Sequence, residues 1–308
     1  MAVINTGTLP KLGWPGLQEV FGMTYRAHPK TYTKMFATVK SDKMYEEYQN
    51  VTGFPIARLK QQGASIEFVA QQQGPTTRLT NATFGLGCIV TEEEMEDNLY
   101  PKVTTGRVAS LAFSMAQYSE ETGALVYNRA FTAGYIGGDG VTLCNTAHPN
   151  AVSGTQSNTF VVGADLSETA YEDALIQIAG WTDDQGLKID VHPLQLIVPR
   201  QLKYDAIRLT RSTYQPGTAN NDVNATLYDN SVPEGSLVSV YLTGPKTWFI
   251  RTDAGGMGGA KGMIYQERTG IKFFEDNEFD TRNKKYGSSK RETFGWDSWL
   301  GLFGSAGP

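Results

Sequence analysis

The sequence is poor in the side chains that build metal and redox centres. Its 308 residues include only three histidines and two cysteines. Two thiols, Cys88 and Cys144, are too few for a disulfide framework, and we expect both to be reduced and packed. Cys144 and His148 stand four residues apart, but no second Cys/His pair accompanies them. The sequence therefore predicts no metal site and no disulfide-stabilised fold.

Two further absences concern nucleic acid and membranes. The 27 lysines and arginines are outnumbered by 32 aspartates and glutamates, so the basic excess of a DNA-reading protein is missing. This charge balance still allows the protein to line a wall beside packed DNA. No stretch approaches the roughly 18 consecutive apolar residues of a membrane span, and residues 1–14 lack the pattern of a secretion signal. We therefore expect a protein made in the cytosol, without membrane contact.

Motifs for catalysis or phosphate binding are also missing. The glycine-rich run at 255–262 fails the phosphate-loop pattern because Gly262, and not Ser or Thr, follows Lys261. The run also fails GxGxxG, since Lys261 occupies the place of the last glycine, and residues 85–90 fail it too. No GxSxG or HExxH occurs, and sequence alone cannot pair carboxylates across a cleft. The sequence thus predicts no catalytic and no cofactor-binding residue, and a turning loop at 255–262.

What the sequence does contain is one long amphipathic helix, at about residues 102–131. Thr91 and Glu94 form a capping box ahead of it, and Pro101 kinks or restarts the helix. At 1.5 Å per residue its length is about 45 Å. Capping and solvation explain the acidic residues around Glu94 better than a metal site does. The positions that share one apolar face are Val108, Leu111, Met115 and Tyr118, and Leu125 and Val126 follow them.

Two segments before this helix predict structure that needs a partner surface. Residues 1–51 lack periodicity but are rich in aromatics, which suits an arm packed on another surface or an ordinary N-terminal subdomain. Residues 52–86 predict an extended hairpin, with a strand at 66–71, a turn at 73–75 and a returning strand. Because an isolated ribbon is marginal in water, its partner is another chain or, alternatively, the core sheet of the same chain.

After the long helix the sequence predicts a mixed unit of helices and strands. A helix follows Ser167, with Tyr171, Ala174, Leu175 and Ile178 on one face, and ends near Gly180. A buried strand at 194–198 stops at Pro199, and a short helix follows it. Further strands are predicted at 237–242, 247–250, 263–266 and 271–275.

Several stretches of the chain occur in a characteristic order. Asp139 and Gly140 lead to residues 144–149, CNTAHP, and residues 196–199 form a strand that ends at a proline before a helix. Further along the chain come a loop at 215–224, a strand at 248–250 and a closing segment at 291–299, spaced as they are in one known family. Together they resemble the Mu-like major head subunits of tailed bacteriophages, which have the Hong Kong 97-like fold. One departure is Arg200 where that family usually has a second proline.

The resemblance implies an α+β fold of five parts. An N-terminal arm and an extended β-hairpin loop would contact neighbouring subunits, the long helix would be the spine of a peripheral domain, and an axial domain would surround the five- and six-fold axes. The corresponding ranges are 1–51 for the arm, 52–86 for the loop, 87–165 for the peripheral domain, 166–284 for the axial domain and 285–308 for a C-terminal return to the peripheral domain.

The same resemblance implies a structural function. The protein would be a major capsid protein that forms hexamers and pentamers around double-stranded DNA, without sequence-specific DNA binding and without cofactors. Portal, scaffold and cement proteins would be its other partners, and the virion its location after assembly in the bacterial cytoplasm. An encapsulin-like cage around cargo and an enzyme are the alternatives. Some relatives crosslink Lys to Asn, and Lys60 and Asn283 have suitable side chains, but so do many other residues of the chain.

Overall fold

The computed structural model describes residues 14–63, 65–96, 100–150, 154–214, 223–254, 260–278 and 280–308. Helices and strands alternate irregularly along the chain. The helices are α1 (Trp14–Ala27), α2 (Tyr32–Met35), α3 (Glu92–Glu96), α4 (Tyr100–Asn128), α5 (Glu168–Ala179), α6 (Lys203–Arg211) and α7 (Ala225–Tyr228). The strands are β1 (Ala37–Lys40), β2 (Tyr45–Val51), β3 (Gln73–Thr80), β4 (Ala82–Val90), β5 (His148–Asn150), β6 (Gly154–Gln156), β7 (Pro193–Pro199), β8 (Ser236–Ser239), β9 (Trp248–Thr252), β10 (Met263–Asn277), β11 (Lys284–Trp296) and β12 (Leu302–Ser305).

The first sheet has the strand order β1-β10-β11-β4. Its centre is the long antiparallel pair β10–β11, to which β1 adds in parallel and β4 in antiparallel orientation. The long helix α4 packs on one face of this sheet. Alternate residues of β4 and β11 therefore point at the helix, and these are the apolar or buried ones, such as Val90 and Tyr286.

The second sheet has the order β12-β9-β7-β8, and α5 and α6 pack against it. Its central strand β7 reads Pro-Leu-Gln-Leu-Ile-Val-Pro and is buried along most of its length, as expected for a strand covered on both faces. Trp248 and Phe303, on neighbouring strands, are fully buried and fill the space between sheet and helices. A further apolar cluster includes residues of α2, α4 and both sheets, so the two sheets share a continuous core.

Sheet pairing places two segments differently from the ranges expected above. The range 166–284 was assigned to the axial domain, yet β10 within it belongs to the first sheet, beside β4 and under α4. The range 285–308 was expected to return to the peripheral domain, yet β12 is an edge strand of the second sheet. The reason is that β10 and β11 form one long hairpin, whose register no local pattern reveals.

Residues 14–40 pack on their own chain. The apolar side chains of α1, including Leu17 and Phe21, are buried against Val108, Leu111 and Met115 of α4, and Phe21 stacks on Phe273 at a ring distance of 4.6 Å. In the single chain, this part of the expected arm therefore packs on the subunit's own long helix and first sheet. Residues 1–13 lie outside the described residues.

The predicted ribbon exists, but with other strands. It is formed by β2 and β3, which pair in antiparallel register from Tyr45 with Thr80 to Val51 with Gln73. The predicted turn at 73–75 is wrong, because these residues begin β3. The predicted strand at 66–71 is also wrong for the single chain, since these residues have no strand partner among the described ones.

The two amphipathic helices agree with the sequence pattern. In α4, Val108, Leu111 and Met115 are buried as predicted, whereas Tyr118 remains 44% exposed at the edge of the contact. In α5, Ser167 caps the first turn by accepting a hydrogen bond from the Ala170 amide at 3.2 Å. Helices of this length carry their own pattern of apolar positions, and this is why the sequence is sufficient to predict them.

Candidate assembly surfaces

The loop that joins β2 to β3, residues 52–72, is exposed along most of its length, and we call it the long loop. Its base is closed by Thr52, whose amide donates to Gln72 O and whose hydroxyl accepts from the Gln72 amide at 2.9 Å. Higher up, Arg58 lies 3.5 Å from Glu67, so the two limbs run side by side. Gly63 has φ of +83°, a conformation that favours glycine, and turns the chain at the tip.

The long loop carries apolar side chains that its own chain does not cover. Phe68 is 93% and Leu59 is 97% exposed, and a loop that served only as a soluble connection would have polar residues there. These side chains gain stability only by contact with another surface. The exposed apolar residues of the loop are Phe54, Ile56, Leu59, Ile66, Phe68 and Val69.

A buried ion pair holds α4 to the first sheet. Lys290 and Glu292 stand two residues apart on β11, so both side chains point at the helix, and they form a salt bridge with both side chains about 1% exposed. The Glu292 carboxylate also accepts from Ser119 Oγ at 2.7 Å and from the Tyr265 hydroxyl at 2.8 Å. Burial opposes the charged form of Lys290, but the neighbouring carboxylate and tyrosines outweigh it, and the pKa of Lys290 is raised.

Glu120 of α4 fixes the start of α2. Its carboxylate is buried and accepts hydrogen bonds from the Thr31 amide, at 2.6 Å, and from the Thr31 hydroxyl. At the other end of α2, the Tyr127 hydroxyl donates to Met35 O at 2.7 Å. The long helix therefore holds the short one at both of its ends, although α2 is only four residues long.

The segment around Asp139 and His148, on which much of the family resemblance rests, is a buried hydrogen-bond centre. His148 Nδ1 lies 2.6 Å from Asp139 Oδ2, and Nε2 lies 3.0 Å from Asn158 Oδ1. The Asn158 amide nitrogen donates to Leu302 O at 2.9 Å, so its oxygen is an acceptor. The His148 ring also stacks on Trp299 at 4.9 Å, and the network thereby ties residues 139–158 to the C-terminal segment.

A cleft of about 430 Å³ lies where the base of the long loop meets the body of the subunit. Asp297 lines it, and its carboxylate accepts from the amides of Lys261 and Gly262 at 2.9 and 2.8 Å. Burial raises the pKa of Asp297 although these bonds counteract the shift. The described end of the glycine-rich run thus binds a carboxylate of its own chain, which does not favour a phosphate site. Residues 255–259 lie outside the described part.

The remaining candidate residues behave as packing groups. Cys144 is fully buried, which raises the pKa of its thiol, and Cys88 is half-buried and also free. Within the described ranges no group of three His, Cys, Asp or Glu side chains could hold a metal ion. Likewise, no helix in those ranges is long and apolar enough to cross a membrane. Most of the predicted loop at 215–224 lies in residues that are not described.

Sequence reasoning missed the buried polar residues. Lys290, Glu292 and Glu120 stand in segments where charged residues usually face solvent. Hydrogen-bond partners such as Ser119 for Glu292 and Thr31 for Glu120 are distant in sequence. The one available signal was the alternation in β11, which puts Lys290 and Glu292 on the same face as Tyr286. The exposed loop residues, by contrast, were predicted to seek a partner surface, and their exposure in the single chain is consistent with that.

This arrangement matches solved capsid structures despite low sequence identity. The mature capsid of bacteriophage PhiM1 matches with a TM-score of 0.57 and 10% identity, over 90% of this chain and 86% of that one. A virus-like particle from Pyrococcus furiosus matches with 0.55 and 7%, over 95% and 98%. The capsid of bacteriophage JBD30, decorated with minor capsid protein trimers, matches with 0.52 and 15%, over 70% and 92%. The fold is therefore the α+β Hong Kong 97-like capsid fold.

The family follows from the sequence itself. The sequence model of a family described as phage capsid protein matches residues 74–304, three quarters of the chain. The chain belongs to this family and is a major capsid protein, a subunit of the phage shell. This family does not favour the alternative of a cellular cargo cage, although the fold alone would allow it. No curated protein sequence matches the chain significantly.

Proposed function

We propose that the protein assembles into hexamers and pentamers of an icosahedral shell that encloses double-stranded DNA, and that it has no catalytic activity. The observation that carries the proposal is the long loop, whose apolar side chains Leu59 and Phe68 are almost fully exposed in the single chain. A closed shell repeats the same contact around each ring, so every copy offers both the loop and the surface that covers it. Assembly then supplies the burial that the single chain lacks.

The two sheets support the assignment of different roles to two parts of the subunit. We assign the peripheral role to the sheet that contains β4 and β10 together with α4, and the axial role to the sheet that contains β7 with α5 and α6. On this basis the axial part ends before residue 263 instead of at 284. The long loop, residues 52–72, is the extended element that overlies an adjacent subunit.

Further partners belong to the same proposal. A portal and a scaffold protein fit the assembly of a shell with one entry for DNA, and a cement protein fits because the similar JBD30 capsid is decorated with minor capsid protein trimers. Contact with DNA would be unspecific, in keeping with the net charge of −5. Assembly in the cytoplasm of the bacterial host and residence in the virion complete the proposal.

The test is electron microscopy of the purified protein. We expect rings or closed shells from the natural chain. Replacing residues 54–70 by a short Gly/Ser linker should leave a folded, soluble subunit that forms no shells. The linker spares β3, because Leu79 of that strand is buried against the body and its loss would disturb the fold.

The matched control is Gln62→Ala, which shortens one exposed polar side chain of the same loop and keeps all its apolar side chains. This variant should form shells like the natural chain. A natural chain that stays a compact monomer at all concentrations and in all buffers would refute the proposed function. Normal shells from the linker variant would refute the role of the loop. Denaturing electrophoresis of the shells decides the crosslink: clean monomer bands exclude it.

A further inference from the structure

The strand β4 (Ala82–Val90) is a long unpaired edge. It pairs with β11 on one side, and no other strand of the described chain lies on its other side. Nine residues without proline and without any charged side chain form this edge. Soluble proteins usually protect such edges with charges, prolines, bulges or a covering element, because the free amide and carbonyl groups bind another strand readily. At one end of this edge the side chain of Arg107 donates to Ile89 O at 3.1 Å.

The surroundings of β4 leave room for a further strand. Phe84 and Cys88 point towards α4, while Gly85 and Gly87 point to the opposite face and carry no side chain. On that opposite face Gly287 of the neighbouring strand pairs with Gly87 and is covered by the ring of Phe274. Leu86 and Ile89 are about half exposed at the edge. A chain approaching β4 therefore meets free backbone and apolar side chains, with little steric hindrance.

The long loop contains a strand-like segment that lacks a sheet to pair with. Residues 65–71, Ser-Ile-Glu-Phe-Val-Ala-Gln, alternate with the period of a strand and are rich in strand-forming side chains. In the single chain they form no strand and are exposed throughout. The described part of the subunit thus contains a strand-like segment of seven residues that pairs with no strand. It also contains an edge strand of nine residues that is paired on one side only.

The two elements cannot meet within one subunit. The strand β3 lies between them and leads away from β4, since it directly precedes β4 at Asn81 and is held along its length by β2. Eight residues of strand at about 3.3 Å each separate the base of the long loop from β4 by roughly 26 Å. If residues 65–71 pair with β4, they must therefore come from a second copy.

We propose that residues 65–71 of one subunit add as a fifth strand to β4 of a neighbouring subunit and extend its first sheet across the subunit boundary. This inference rests on the proposed function and names the surface on which the long loop docks and the way it binds. Backbone hydrogen bonds give the affinity, and side chains on the two faces of the added strand contact Leu86 on one face and Ile89 on the other. Charge agrees: Glu67 is the single charge of the segment, and Arg291 flanks β4 on the face opposite α4.

The first measurement is amide hydrogen exchange, read by mass spectrometry on shells and on unassembled subunits. In shells we expect exchange of both peptides, 65–71 and 82–90, to slow at least about tenfold relative to the subunit. Phe68→Pro removes one backbone donor from the segment, and protection of 82–90 should be lost. Gln61→Pro, at an exposed polar position of the same loop but outside the segment, is the control and should keep that protection.

The second measurement does not depend on whether Phe68→Pro assembles. Phe68→p-benzoylphenylalanine keeps an aromatic side chain and crosslinks to its neighbours on illumination. In shells mixed from ¹⁴N and ¹⁵N subunits, the crosslinked peptide should come from residues 82–90 and carry the other isotope as often as its own. Shells in which 82–90 stays unprotected, or in which the crosslink reaches another surface, overturn the added strand but leave the capsid function intact. Absence of shells from the natural chain overturns the proposed function itself.

Discussion

Two charged side chains of this subunit, Lys290 and Glu292, are buried away from solvent. Lys290 lies 5.5 Å from the ring centres of both Tyr32 and Tyr265, and its salt bridge with Glu292 is closed off by these rings and by α4. Burying two charges costs desolvation that their attraction offsets only when all their hydrogen-bonding groups are satisfied. Ser119 and Tyr265 satisfy the remaining oxygens of Glu292, so removal of one partner leaves the other without compensation.

Lys290→Met should lower the free energy of unfolding by about 3–5 kcal/mol, because it leaves the Glu292 carboxylate buried and unpaired. The double variant Lys290→Met with Glu292→Leu should recover part of this loss. Chemical denaturation followed by circular dichroism measures both. Arg208→Ala, which breaks an exposed salt bridge with Asp205, is the control and should change stability by less than about 1 kcal/mol. A single variant as stable as the natural chain would contradict this account of the pair.

Among the elements, the short helix α2 depends most on contacts outside itself. Four residues are too few for a stable helix in water, and α2 persists because α4 supplies a carboxylate at its start and a hydroxyl at its end. The connection between α1 and β1 thus takes its conformation from the spine helix. Sequence patterns predict α4 itself, but the dependence of α2 on it involves pairs about ninety residues apart.

Glu120→Ala should loosen this connection before the whole fold is lost. The Thr31 amide and hydroxyl then lose their acceptor, at a cost of about 1–3 kcal/mol. Limited tryptic digestion should cleave faster at the exposed Lys30 and Lys34 than in the natural chain. Glu121→Ala, the exposed neighbour on the same helix, should digest at the natural rate. Equal cleavage rates in both variants would show that Glu120 does not hold α2.

For the whole molecule, the buried tyrosines make stability depend on alkaline pH. Burial raises the pKa of Tyr32 to about 12 and raises the pKa of Tyr127 still further above its ordinary value of 10.0. The pKa of Lys290 is raised as well. In the unfolded chain these groups release their protons near their ordinary values, whereas in the folded chain they retain them. Their contribution is thus fully present below about pH 10 and is lost as the pH rises above it.

The contribution of these groups to the free energy of unfolding should therefore be constant between pH 8 and 9. It should fall steeply from about pH 10 upwards. Each such group contributes a slope of up to about 1.4 kcal/mol per pH unit. Urea denaturation of the unassembled subunit at stepwise pH measures the slope. Tyr127→Phe removes one of the groups, so its slope should be shallower although the variant loses the hydrogen bond to Met35. A slope that is identical in both proteins would refute the contribution of Tyr127.

The sequence alone determined the features that a short stretch of chain carries in itself. The buried face of α4, the cap at Ser167, the strand that ends at Pro199 and the order of motifs from Asp139 onwards are all local, and they were sufficient for the fold class and the family. Periodicity also predicted a strand at 66–71. That strand is absent from the single chain, because a strand exists only when a second one pairs with it.

Only the tertiary structure decided which strands meet and which edges stay open. The pairing of β10 with β11 depends on contacts between residues that are separated in the chain. The burial of Lys290 and Glu292 depends on distant residues such as Ser119. The loop turns at Gly63, whereas the local pattern predicted the turn at 73–75. Strand register is set by burial on both sides of the sheet, which no stretch of sequence encodes by itself. For the same reason, only the strand order of the first sheet reveals that β4 lies at its edge.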